Sequence, residues 1–411
     1  MSAHLPGIMV AVLASFATEA MASDATPYEA HGFLDARAVA VDSPLVSFTQ
    51  GGLGLLRFDE DHDGLQFGRL ALDLAGPLTE SVRGQLTAVV SDEENQTLVD
   101  LSEAFVEWRP YPQSNWRWRS RLGAFHPPVS LENRGVAWQS IYSLSPSAIN
   151  TWMGEEVRAI GLEMAATNSG AATQRPYDFG MVVGVYGWND PAGVLLFQRG
   201  WAIHDRETTV FGSLPRPFPQ NEYDHSIDFN AEIDDRPGYY VGGELKLQSR
   251  NVLRILHYDN RGDPARSTRA DHAWLTRFDC VGVRVELPSD FTFITQGMRG
   301  DTGVGASADG RGMLIAEYWS YFALASYAPG PHRFTLRYDR MNVESVRGAQ
   351  YFDSRQDAHA WTAAYLYDHD EHWQVGIEAL RIDGSLAQRE LMGLQSAAVE
   401  RQLQLAVRYS F

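Results

Sequence analysis

The sequence predicts an all-β fold, a transmembrane antiparallel β-barrel of about 16 strands. Three observations predict it. A two-residue rhythm of apolar and polar side chains recurs along the chain and runs into its last residue. No apolar run of helix-spanning length follows residue 22. Short turns and longer polar links alternate between the strand-like runs.

The final strand shows the rhythm most clearly. Phe411, Tyr409, Val407, Leu405 and Leu403 fall on one face, and Ser410, Arg408, Ala406, Gln404 and Gln402 on the other. This ending resembles the outer-membrane β-barrels of Gram-negative bacteria, porins among them, whose last strand typically closes on Phe. In that family the ending is read by the barrel-insertion machinery, so the resemblance implies that partner for Phe411. It also implies an outer-membrane location, contact with lipid and lipopolysaccharide, and a homotrimer.

The N-terminal segment reads as an export signal. Ile8 to Ala17 is apolar and Ala20-Met21-Ala22 is a small-residue cleavage site, so residues 1–22 are expected to be a signal peptide and 23–411 the barrel. The segment departs from the usual form in having no Lys or Arg, only His4.

Sixteen strands are expected at 30–42, 65–75, 81–90, 98–109, 115–125, 155–166, 177–188, 238–247, 251–260, 272–287, 290–300, 312–328, 332–342, 358–367, 372–383 and 398–411. The count is even, as closure requires; 14 or 18 strands fit the same pattern with one hairpin fewer or more. About 24 residues per strand and link leaves room for the 9–11 a tilted spanning strand needs. Pro, Gly, Asn and Asp mark the tight turns, such as GPLTE at 76–80 and PGP at 329–331. The long links fall at 43–63, 91–97, 126–154, 189–237, 261–270, 301–311, 343–357 and 384–397. In barrels of this family the short turns face the periplasm and the long links the outside.

Several strands assign their own faces. Trp116 and Trp118 oppose Arg117, Arg119 and Arg121; Val281, Val283 and Val285 oppose Cys280, Gly282, Arg284 and Glu286. Phe334, Leu336 and Tyr338 oppose Arg333, Thr335, Arg337 and Asp339. An Arg turned to lipid at the midplane would cost about 2–4 kcal/mol, so the arginines are expected inside, around a polar, water-filled lumen. Strands 155–166 and 312–328 do not separate into two faces.

Composition excludes several functions. A net charge of −18 argues against nucleic acid, whose phosphates need clustered cations. One cysteine, Cys280, excludes a disulfide framework and a multi-Cys metal site. The twelve His are scattered. Asp59, Asp61, Asp63 and Gly64 match half of a calcium loop, but Leu70 stands where its closing Glu belongs. Gly303 to Ala308 matches a loose dinucleotide fingerprint with no βαβ unit after it. G-x-S-x-G, H-E-x-x-H and Walker A motifs are absent. No cofactor, metal or catalytic site is expected.

Link 126–154 resembles the third loop of trimeric porins, which folds into the barrel and narrows the pore. The resemblance implies a constriction with Glu132, Asn133 and Arg134 on the loop, facing the wall row Arg117, Arg119 and Arg121. Arg333 and Arg337 are further expected lining residues. A field between loop carboxylates and wall arginines would sort solutes by charge. The expected function is therefore a porin-like channel for small hydrophilic solutes or ions, tolerant of anions and without enzymatic activity. The alternatives are a loop-capped receptor or adhesin built on the 189–237 link, or a barrel hydrolase.

Overall fold

A computed structural model describes residues 28–90, 99–218, 226–248, 250–305 and 313–411. The expected signal peptide and the whole of the acidic link at 91–97 lie outside the described residues.

Sixteen strands close one antiparallel barrel. They are β1 (Glu29–Asp42), β2 (Gly64–Pro77), β3 (Val82–Val90), β4 (Val99–Trp108), β5 (Trp116–Phe125), β6 (Ala159–Asn168) and β7 (Tyr177–Gly187), which precede a two-residue hairpin, β8 (Leu214–Pro215) and β9 (Ser226–Ile227). The barrel resumes with β10 (Gly238–Leu247), β11 (Asn251–Asp259), β12 (Leu275–Leu287), β13 (Phe291–Val304), β14 (Leu314–Tyr327) and β15 (His332–Arg347). It ends with β16 (Gln356–Asp368), β17 (Trp373–Leu386) and β18 (Ala397–Ser410). Each barrel strand pairs with its chain neighbour, except that β7 pairs with β10 across the hairpin.

Closure is made by β1 against β18, with Leu34 opposite Tyr409 and Ala38 opposite Leu405. At its foot Gly32 N–H donates to the Phe411 carbonyl at 2.9 Å, and Phe411 N–H to the Gly32 carbonyl at 3.0 Å. The position must stay small, because a Cβ on Gly32 would meet the Phe411 ring at 2.5 Å. The terminal residue thus joins the last strand to the first as well as ending the apolar rhythm.

The two faces are sharply distinct. Outward Leu403, Leu405 and Val407 on β18 are exposed, while Gln402, Gln404 and Ala406 are buried inside. Leu122, Ile255, Val281, Leu336 and Ile377 continue the apolar outside around the wall. A contiguous apolar belt of this size requires lipid rather than water around it.

Several expected boundaries move. The run 155–166 begins with helix: Ala148–Glu156 forms helix α1, capped by Ser147, and β6 starts only at Ala159. Strand β13 continues to Val304 and β15 to Arg347, past the expected 300 and 342. Their extra residues pair at the long-link end, Thr302 with Ala316 and Val343 with Tyr318, where backbone pairing does not depend on an apolar side-chain rhythm.

Candidate functional site

The candidate site is the lumen, which is filled rather than open. Three links fold inward: residues 126–158, the first part of 188–237, and part of 43–63, whose Phe48, Leu53, Leu55 and Leu56 join the same core. Every residue of α1 is buried. Trp152 and Met153 from α1, and Leu195, Leu196, Trp201 and Ile203 from the second link, pack with the inward residues of β11 to β17. Trp152 meets Phe278 at 5.4 Å and Tyr318 at 5.6 Å between ring centroids, and Trp201 meets Tyr318 at 5.8 Å. Around this core Met341, Val343, Ala358, Ala360 and Ile382 are nearly inaccessible.

This corrects the expectation of a uniformly polar, water-filled interior. It also explains the indistinct strand at 312–328. Strand β14 turns Ala316, Tyr318, Phe322 and Leu324 inward and Trp319, Tyr321 and Ala323 outward. Both faces are apolar because one meets lipid and the other meets the inserted links. Strand β6 resolves as well, with Leu162 and Met164 outward and Glu163 buried inside.

The other side of the lumen is charged. Asp205, on the second link, sits among three wall-side arginines. It accepts from Arg37 at 2.6 Å and Arg57 at 3.1 Å, with Arg69 at 4.0 Å. Arg37 is shared with Asp35 at 2.9 Å, and Asp35 also accepts from Arg408 at 2.8 Å. Glu207 accepts from Arg69 at 2.9 Å and Ser102 at 2.8 Å, with His126 at 3.5 Å and Arg158 at 3.9 Å. Burial pushes both link carboxyls up, but the surrounding cations outweigh it. Asp205 is held well below the usual carboxylate range and Glu207 at about 2. On α1 of the first link, burial raises Glu155, but Arg199 and His204 bring it down to about 2. Its neighbour Glu156 pairs with no cation among the described residues; burial drives it up to about 8 although Gly193 and Leu195 N–H groups donate to it.

The expected constriction residues divide. Glu132 is buried and faces an arginine, but that arginine is Arg337 of β15, at 2.9 Å. Arg337 also holds Asp339 at 2.7 Å and donates to the carbonyls of Ser145 and Pro146, so it clamps the loop to the wall. Glu378 reinforces the clamp by accepting from the N–H groups of Leu144 and Ser145. Asn133 is buried and donates to the Trp138 carbonyl; Arg134 is exposed. Arg119 and Arg121 lie on Glu163 of the next strand, each at 2.8 Å, and Arg117 is exposed. The arginine row and the loop carboxylate are therefore not opposed. Arg333 lies over the Tyr142 ring, 5.3 Å from its centroid.

Asp35, Arg37, Arg57, Asp205, Glu207, Trp152 and Trp201 were not singled out from sequence. A signal was present: VLLF at 194–197 and WAI at 201–203 are apolar runs inside a link read as polar and external. The half calcium loop is a turn brace. Asp59 is buried and accepts from the N–H groups of Ser47 and Asp61 and from His62. Asp190, Glu232 and Asp234 bring carboxylate oxygens within 4.8 Å of one another and could hold a cation; Asp190 already accepts from the N–H groups of Ile233 and Asp234.

No protein-family model and no curated protein matches the sequence. Solved structures match its fold. The outer membrane channel DcaP of Acinetobacter baumannii is 12% identical with a TM-score of 0.56, covering 95% of this chain and 99% of its own. An anion-selective porin from Comamonas acidovorans is 13% identical with a TM-score of 0.51, covering 93% and 99%. OmpT, an outer membrane protein of Vibrio cholerae in a trimer form, is 10% identical with a TM-score of 0.53, covering 94% and 100%. The chain has the fold of bacterial outer-membrane porins, a closed barrel of sixteen antiparallel strands.

Proposed function

We propose that this chain, a barrel of the porin fold in the bacterial outer membrane, is a channel of low conductance for small hydrophilic solutes, tolerant of anions. One observation carries the reading. An apolar belt surrounds a lumen whose β1–β6 side is a seam of arginines and carboxylates, while the opposite side is a dry core. The charged seam is the path assigned to polar solutes, and because the inward links fill it the expected conductance is low. DcaP is described as a channel and the Comamonas protein as an anion-selective porin, which supports the same reading. A homotrimer, a lipopolysaccharide contact and recognition of Phe411 by the insertion machinery belong to this proposal.

A loop-capped receptor is the second reading. It is favoured by the apolar seating of Trp152 and Trp201, which closes the lumen more firmly than a polar constriction loop would. Planar-bilayer recording separates the two. Small ohmic steps, with a reversal potential in a KCl gradient that is neutral or anion-directed, support the channel. A silent barrel supports the receptor, and strong cation selectivity overturns the role given to the arginines.

A further inference from the structure

We propose that the short-turn mouth of the barrel contains a binding site for a compact polyanion, a solute carrying two or more negative charges. This names a ligand class for the same lumen and takes its purpose from the channel reading. The site is a cavity of about 510 Å³ beneath Pro128 of the inward link.

Its charge is inverted relative to the chain. Arg109, Arg117, Arg119, Lys246 and Arg254 line it against two carboxylates, Asp178 and Glu244, while Arg109 and Arg119 are also paired with Glu107 and Glu163 behind the lining. The protein as a whole carries −18. The carboxylates are also engaged: Glu244 accepts from Lys246 at 2.8 Å and from Arg254, and Asp178 accepts from Gly170 N–H at 2.6 Å. Arg117 is exposed and makes no ion pair among the described residues.

The geometry leaves room between the cations. Strands β5 and β10 are separated by β6 and β7, so their backbones stand about 14 Å apart at ordinary strand spacing. The floor between them is small: Ala165 and Thr167 on β6, and Gly180 on β7. A Cβ on Gly180 would lie 3.5 Å from the Thr167 hydroxyl and 3.8 Å from the Glu244 Cβ, so a larger side chain there enters the cavity without a backbone clash. The inward link closes the site from above, where Arg254 donates to the Ser130 carbonyl at 2.7 Å. Long cationic side chains from two walls thus lean over a floor without bulk, beneath a roof. That arrangement suits an anion with charge at more than one edge, which can meet both walls at once.

The test is calorimetric titration of the full-length folded protein in neutral detergent at low salt with inorganic pyrophosphate. Saturable binding of one pyrophosphate per chain is expected, with no heat from sucrose or spermidine. Arg117→Gln and Lys246→Gln should each weaken binding about tenfold, the worth of one charge-assisted contact. Gly180→Leu leaves the charge unchanged and should weaken binding at least as much by filling the floor. Absence of saturable binding, or wild-type binding by Gly180→Leu, overturns the site. Binding does not depend on conduction: a barrel silent in bilayers that still binds pyrophosphate refutes the channel and keeps the site, whereas ohmic steps without binding do the reverse.

Discussion

Asp205→Asn is the most direct test of what holds the lumen closed. The carboxylate stands between Arg37 and Arg57, with Arg69 at 4.0 Å, and all three guanidiniums are nearly inaccessible. The amide removes the charge and turns donor hydrogens toward donors. Breaking a buried ion pair by neutralising one partner costs about 3–5 kcal/mol. Arg37 keeps Asp35 and Arg69 keeps Glu207, which places this case at the lower end, about 3 kcal/mol. The loss falls on the seat of the second inward link, since Asp205 takes no part in the wall's backbone ladder. A change of that size moves the balance between seated and released link about a hundredfold. Two assays read it. Bilayer recording should show larger or more frequently open steps than wild type, and trypsin should cut at Arg199 and Arg206, both buried while the link is seated. The barrel itself should keep its resistance to SDS at room temperature. Unchanged conductance together with unchanged cleavage, in a barrel that remains folded, would refute the claim that this cluster holds the link.

Two further predictions concern the wall and the link. Leu405→Arg places a guanidinium on the lipid face of β18 and should destabilise the barrel in lipid by about 2–4 kcal/mol, whereas Gln404→Arg, one residue away and facing inward, should avoid that lipid penalty; equal losses on urea unfolding in vesicles would reverse the face assignment. For pH, Glu156 is raised to about 8, so its stabilising contribution is full below the ordinary carboxyl value and lost as pH rises through about 8. Wild-type link should therefore become more trypsin-sensitive as pH rises from about 5 to about 8 and change little above that, and Glu156→Gln should remove that part of the dependence. Glu155 and Glu207, held at about 2, lose their contributions only in strong acid, outside that window. Identical pH profiles for wild type and Glu156→Gln would refute the assignment.

Much of the wall was legible because a strand facing lipid on one side and polar groups on the other shows its period in the residues themselves. Val281 against Arg284 and Leu405 against Gln404 need no knowledge of the rest of the molecule. Strand β14 was illegible for the same reason, since Tyr318 meets Trp152 and Trp201, groups more than a hundred residues away in the chain, and Phe322 lies in the same core. Glu132 is expected on a constriction loop facing Arg117, Arg119 and Arg121, but its partner is Arg337, a choice made by how the loop crosses the lumen.

The sequence by itself determined the strand rhythm, the two faces, the closing Phe411 and an even strand count near sixteen. These follow from local alternation between two solvents, which each residue records on its own. Only the tertiary structure decided what occupies the interior: a dry core on one side, a seam of ion pairs on the other, and a basic mouth below. Those depend on which distant groups meet once the links turn inward, and burial energies are set by the partner that arrives rather than by the residue that waits.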